Sequence, residues 1–90
     1  MYRIRPTTRF QGDLKRVQKR GYNISLLTDI IDKLAAGESL PKKNRDHQLI
    51  GDYVPCRECH VSPDWLLIYE IDREERILYL IRTGTHSDLF

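Results

Sequence analysis

The chain has no run of 18 or more apolar residues, so no transmembrane helix can be drawn in it. Its first 15 residues are basic and polar where a secretory signal would be hydrophobic, and a cytoplasmic location is expected. Cysteine is scarce, with only Cys56 and Cys59. In a reducing compartment the pair does not read as a structural disulfide. Methionine is limited to Met1, which leaves no axial thioether for a haem. With 90 residues the chain has room for one domain, 1–90, and not for two. A core this small leaves little space for an enclosed cofactor pocket, and no cofactor is expected. What is present is ordinary for a globular chain: 40% hydrophobic and 31% charged residues, which argues against disorder.

The net charge of +2 conceals a polarised distribution. Residues 1–22 hold seven basic side chains (Arg3, Arg5, Arg9, Lys15, Arg16, Lys19, Arg20) against Asp13 alone, a net of +6. The other 68 residues hold eight basic and twelve acidic groups, a net of −4. Such a basic segment suits a polyanion or an acidic partner. A solvated helix face would look the same.

Residues 2–6 alternate and end at Pro6, as a short strand does. Thr7 or Thr8 can cap a first helix whose buried stripe is Phe10, Leu14 and Val17, with Gly21 as its stop. Asn23 caps a second helix carrying Leu27, Ile30, Ile31 and Leu34, ended by Gly37, and the two should pack as an antiparallel hairpin. Residues 37–51 read as an ordered loop with a short helical turn. Three β-rich runs follow, Asp52–Val61, Trp65–Ile71 and Arg76–Arg82, joined by short turns. The sum is an α+β, two-layer sandwich in the order β-α-α-β-β-β, with an antiparallel meander covered by helices on one face.

Cys56-Arg57-Glu58-Cys59-His60 formally matches the C-x-x-C-H haem attachment pattern. It falls in a strand, where Cys56 and Cys59 point to opposite faces, so the match is read as coincidence. A zinc site from Cys56, Cys59, His47, His60 and His86 lacks the second tight ligand pair of a zinc knuckle, and no metal is expected. The histidines draw attention for their company. His47 adjoins Asp46, His60 precedes Asp64 by four residues, and His86 follows Arg82 by four. Three imidazoles, a carboxylate and a guanidinium meet the needs of phosphodiester cleavage by an RNA's own 2′-OH. One group takes a proton, one gives a proton, and a cation stabilises the phosphorane.

Three stretches carry a family resemblance: Asp46-His47-Gln48-Leu49-Ile50-Gly51, the run from Arg57 to Tyr69, and Arg82-Thr83-Gly84-Thr85-His86-Ser87-Asp88-Leu89-Phe90. Together and in order they closely resemble the YafQ-type toxins of the RelE/ParE superfamily. The resemblance implies the RelE-like microbial RNase fold and the toxin of a type II toxin–antitoxin pair, an mRNA endonuclease working in the ribosomal A site without metal. It puts His47, His60, Asp64, Arg82 and His86 at catalytic positions, with His86 as proton donor, Arg82 on the phosphate, and the base open among His47, His60 and Asp64. It implies a cognate antitoxin, the ribosome and mRNA as partners, no membrane, and operator DNA bound only through the antitoxin. Arg9, Lys15, Arg16, Lys19 and Arg20 become a docking surface for ribosomal RNA, and Phe90 closes an edge of the site. Trp65 either contacts RNA or is a core aromatic. Where many relatives have a Gly-aromatic pair before Arg57, this chain has Pro55-Cys56, and a local distortion is expected there. The competing readings are a gyrase-poisoning toxin on the same scaffold, which needs no clustered imidazoles, and an inactive RNA- or protein-binding module.

Overall fold

The computed structural model describes residues 1–90. The first strand, β1 (Arg3–Pro6), leads into α1 (Thr8–Lys19) and α2 (Ile24–Ala35). A 3₁₀ turn at Lys42–Asn44, the two-residue β2 (His47–Gln48) and a second 3₁₀ turn at Gly51–Tyr53 follow. The chain ends in β3 (Arg57–Ser62), β4 (Trp65–Asp72), β5 (Ile77–Gly84) and the single-turn α3 (His86–Leu89). Thr7 caps α1, its hydroxyl accepting the Phe10 amide, and Asn23 caps α2 through the Ser25 amide. Each cap satisfies a first-turn N–H that has no partner inside its helix.

The sheet is mixed and five-stranded, in the order β1-β5-β4-β3-β2. The expected meander is there as β3-β4-β5, but β1 lies parallel to β5 at one edge rather than antiparallel. Two successive helices between β1 and the later strands return the chain to the end from which β1 started, so β5 enters alongside it. The first of the three β-rich runs was expected from Asp52. It pairs only from Arg57, because Gly51–Tyr53 forms a 3₁₀ turn and Pro55, which has no N–H, lies in the link before the strand. The distortion expected at Pro55-Cys56 is therefore a late start to the strand.

The two faces of the sheet differ. The helices cover one face, where Phe10, Val17, Leu27, Ile30 and Leu34 meet Cys59, Val61, Leu67, Tyr69, Leu78 and Leu80. A fully buried Leu or Val is worth about 1.5–3 kcal/mol, so this layer holds most of the stability. The other face has a smaller cluster of Cys56, Leu66, Ile68 and Leu89, with Leu49, Tyr53 and Ile81 against it. Strand alternation assigns Glu58 and His60 to this second face, since they pair with Ile68 and Leu66. It also separates Cys56 from Cys59, as expected.

One irregularity matters for function. The β4–β5 register slips between Ile68 and Tyr69, so that Tyr69 pairs with Leu80 but Ile68 pairs with Arg82, leaving Ile81 as an extra residue. In a regular strand Arg82 would share Leu80's helix-covered face. The bulge places it opposite Ile68 on the second face instead.

Candidate active site on the open face of the sheet

Two rows cross the second face. Glu58, Ile68 and Arg82 align in one, and His60, Leu66 and Gly84 in the next. After Gly84 the chain turns into α3, and His86 folds back over the sheet toward His60, their ring centroids 5.7 Å apart at an interplanar angle of 61°. Asp64, at the turn after β3, accepts a hydrogen bond from His86 Nδ1 at 2.8 Å and one from the His86 amide at 3.3 Å. These bonds hold the Asp64 carboxyl below the ordinary carboxylate range. A carboxylate can only accept, so Nδ1 carries the proton and Nε2 is the nitrogen left for chemistry.

His60, Asp64 and His86 are thus brought together as the sequence suggested. His47 joins through an intermediary. It sits half-exposed on β2, its Nδ1 2.7 Å from the Arg45 carbonyl and its Nε2 3.5 Å from a Glu58 carboxylate oxygen. Glu58 itself is buried. It escaped the sequence reading, although it stands two residues before His60 in a strand and must share its face. Donor atoms of Glu58, His60 and His86 lie within 4.8 Å of one another, a nitrogen and oxygen set that fits a borderline divalent ion. The cysteines take no part. They lie in separate clusters on opposite faces, and burial pushes the Cys59 thiol up to about 12.

Arg82 is held from behind. Its Nε and Nη2 donate to the two Asp13 oxygens at 2.8 and 2.9 Å, and the Thr83 amide donates to the same carboxylate at 3.2 Å, beyond the point where β1 ends. The Asp13 hydrogen bonds push the Arg82 guanidinium above its ordinary value, with a smaller contribution from the Tyr53 hydroxyl. Asp13 is only 3% exposed, although the sequence reading left it uncounted on the apolar stripe of α1. A lone acid at that spacing, between Phe10 and Val17, is the signal that a buried cation awaits it.

A second clamp holds α3. Asp88 accepts from Arg20 Nη1 at 2.6 Å and Nη2 at 3.0 Å, and from the Thr85 amide at 2.9 Å. Thr85 in turn accepts the Asp88 amide, a reciprocal capping box that fixes the turn carrying His86. The Arg20 bonds hold the Asp88 carboxyl far below its usual range. Gly84 has φ 155°, and a Cβ there would come within 2.9 Å of the Asp88 side chain. Only glycine lets α3 fold back this tightly.

The remaining expected contacts divide. Arg16 and Arg20 face Asp13 and Asp88, so part of the basic run is spent inside the molecule. Arg9, Lys15 and Lys19 are exposed and make no ion pair, as a docking surface requires. Trp65 is corrected to a core residue. It is 3% exposed, donates Nε1–H to Thr83 Oγ1 at 2.9 Å and packs edge-on against Tyr22, so it presents no face to a base. Phe90 is 63% exposed and packs edge-on against Tyr53 at the rim of the second face.

Known proteins share this fold. The profile of the family described as "Bacterial toxin of type II toxin-antitoxin system, YafQ" matches residues 2–90. The mRNA interferase toxin YafQ of Escherichia coli strain K12 is 37% identical over 82 residues, which cover 90% of this chain and 87% of that protein. In the crystal structure of the E. coli DinJ-YafQ complex, a chain 34% identical superposes with a TM-score of 0.91, covering 100% of this chain and 99% of its own. A metal-bound toxin from Helicobacter pylori is 41% identical, with a TM-score of 0.94 and 100% of both chains covered.

Proposed function

The chain belongs to the YafQ family of type II toxins, and from that premise we propose that it is an mRNA interferase that cuts mRNA in the ribosomal A site. The observation that carries the reading is the Asp64–His86 hydrogen bond, which presents one oriented imidazole to a second, His60, 5.7 Å away. An RNA phosphodiester between them meets a base for its 2′-OH and an acid for its leaving 5′ oxygen. With Nδ1 engaged by Asp64, Nε2 is the nitrogen from which His86 can donate. His60 is then the nearest imidazole for the 2′-OH, with His47 and Glu58 behind it. The Arg82 guanidinium supplies positive charge to the phosphorane, and Asp13 fixes its direction in advance. The exposed Arg9, Lys15 and Lys19 dock on ribosomal RNA, and Phe90 closes the rim.

Glu58, His60 and His86 are the residues that would hold a divalent ion. Bound there, an ion would bring positive charge beside the phosphate while occupying the imidazole nitrogens needed for proton transfer. The proposed partner is a cognate antitoxin, as DinJ is of the E. coli protein, and any operator DNA is contacted through that antitoxin.

Mapping mRNA 5′ ends on translating ribosomes after brief induction tests the proposal. Codon-phased cuts are expected with the wild type. With His86→Ala they should fall by about 10²- to 10⁴-fold while the protein stays folded. Intact mRNA together with trapped gyrase–DNA complexes would favour the gyrase reading instead.

A further inference from the structure

Beside His60 the surface opens into a cavity of about 600 Å³ whose walls include Lys43, Asn44, Arg45, Ser62 and Pro63. That volume is within the range of small-molecule sites and is ample for one nucleotide. Neither Arg82 nor His86 lines it, so it leads away from the centre on the His60 side. Its cations are free. Lys43 and Arg45 are exposed and make no ion pair, and the neighbouring acid Asp46 is engaged elsewhere by the Tyr69 hydroxyl at 2.5 Å and Arg57 Nε at 3.3 Å.

The wall is also built in advance. Asn44 is buried and donates Nδ2–H to the His60 carbonyl at 2.7 Å, which ties the 3₁₀ turn at Lys42–Asn44 to β3. The Arg45 amide closes that turn on the Lys42 carbonyl, and the Arg45 carbonyl bonds His47 Nδ1. Two unpaired cations and a hydroxyl, Ser62, on a fixed wall beside a reacting imidazole call for an anion. We propose that this cavity is the subsite for the nucleotide that supplies the attacking 2′-OH, with the phosphate on its 5′ side bound by Lys43 and Arg45.

The inference rests on the reading of this face as an RNA-cleaving centre, and the test separates the two. Ribosomes are programmed with mRNA carrying one methylphosphonate, which is uncharged, on the 5′ side of the attacking nucleotide. Wild-type cleavage should slow by about 10- to 100-fold, the worth of a charge-assisted hydrogen bond or two. The double variant Lys43→Gln, Arg45→Gln should slow by a similar factor on ordinary mRNA and lose little more on the methylphosphonate. Two full effects that multiply, or a variant as fast as wild type on ordinary mRNA, would overturn the subsite. Lys43→Gln alone, at an exposed position, repeats the cycle should the double variant unfold. A 2′-deoxy attacking nucleotide is the control on the parent reading. It should abolish cutting by every variant, and continued cutting would refute 2′-OH attack whatever the cycle gives.

Discussion

The two halves of the site are held in different ways. On one side Arg82 and His86 are anchored to α1 by two bidentate ion pairs, Asp13 with Arg82 and Arg20 with Asp88, and His86 is tied again to Asp64. On the other side His47 rides on a two-residue strand between two 3₁₀ turns, with Ile50 88% and Val54 53% exposed nearby. Groups that must meet charge developing in a transition state gain most from being fixed beforehand. A group that only orients the nucleophile can tolerate a looser mount until substrate arrives. The basic helix α1 therefore has two uses on two faces: it braces Arg82 and the turn carrying His86 from behind, and it offers Arg9, Lys15 and Lys19 to solvent.

The strongest way to break this contrast is at Asp13. Asp13→Asn keeps the shape but leaves the Arg82 guanidinium without its buried counter-charge, a loss of about 3–5 kcal/mol for such pairs, readable by urea unfolding. Cleavage should fall with it. Replacing both partners with apolar residues, Asp13→Leu with Arg82→Met, should recover much of the stability and none of the activity. If activity returned with stability, Arg82 would be a structural residue and the braced half would have no catalytic meaning.

Much of this was legible in the chain itself, and what was not has identifiable causes. Helix ends followed from Thr7, Asn23, Gly21 and Gly37, because caps and stops are local chemistry. His60, Asp64 and His86 converged as expected because each stands near a strand end on one sheet face. The side of Arg82 was illegible, since it depends on a single extra residue at Ile81 that no pattern announces. Parallel pairing of β1 was equally hidden, being a matter of chain return and not of the strand's own residues. Asp88 was within reach: Thr85-x-x-Asp88 has the spacing of a capping box, but a four-residue helix offers no periodicity to point at it. Trp65 shows the opposite failing, a conspicuous residue given a functional alternative when its neighbours in a core strand already favoured burial.

A smaller effect is expected at the second clamp. Asp88→Asn should lower kcat about tenfold with KM little changed, because a displaced α3 moves His86 without touching the docking surface. The clamp also predicts a pH signature. The folded-state pKa of Asp88 lies below its unfolded value of about 3.9, so its contribution to stability is fully present above that value and is lost as pH falls through the depressed one. The gap in thermal midpoint between wild type and Asp88→Asn should be constant from neutral pH to about 4 and narrow only below. A gap that closed near neutrality would point to a histidine, and not to this carboxylate, as the group holding α3.

The smallest expected change, at His47, is also the one that sharpens the contrast most. His47→Gln retains a polar side chain at a half-exposed position on a two-residue strand, so stability should move by no more than about 0.5 kcal/mol. If His47 only orients the buried Glu58 and the nucleophile, cleavage should fall less than about tenfold and its pH dependence should keep its shape. A fall of about 10²- to 10⁴-fold with loss of the acidic limb of the pH–rate profile would make His47 the proton acceptor. His60 would then be reduced to holding the wall between the two halves. The loosely mounted side would carry half of the acid–base chemistry, with the substrate and not the fold completing its geometry.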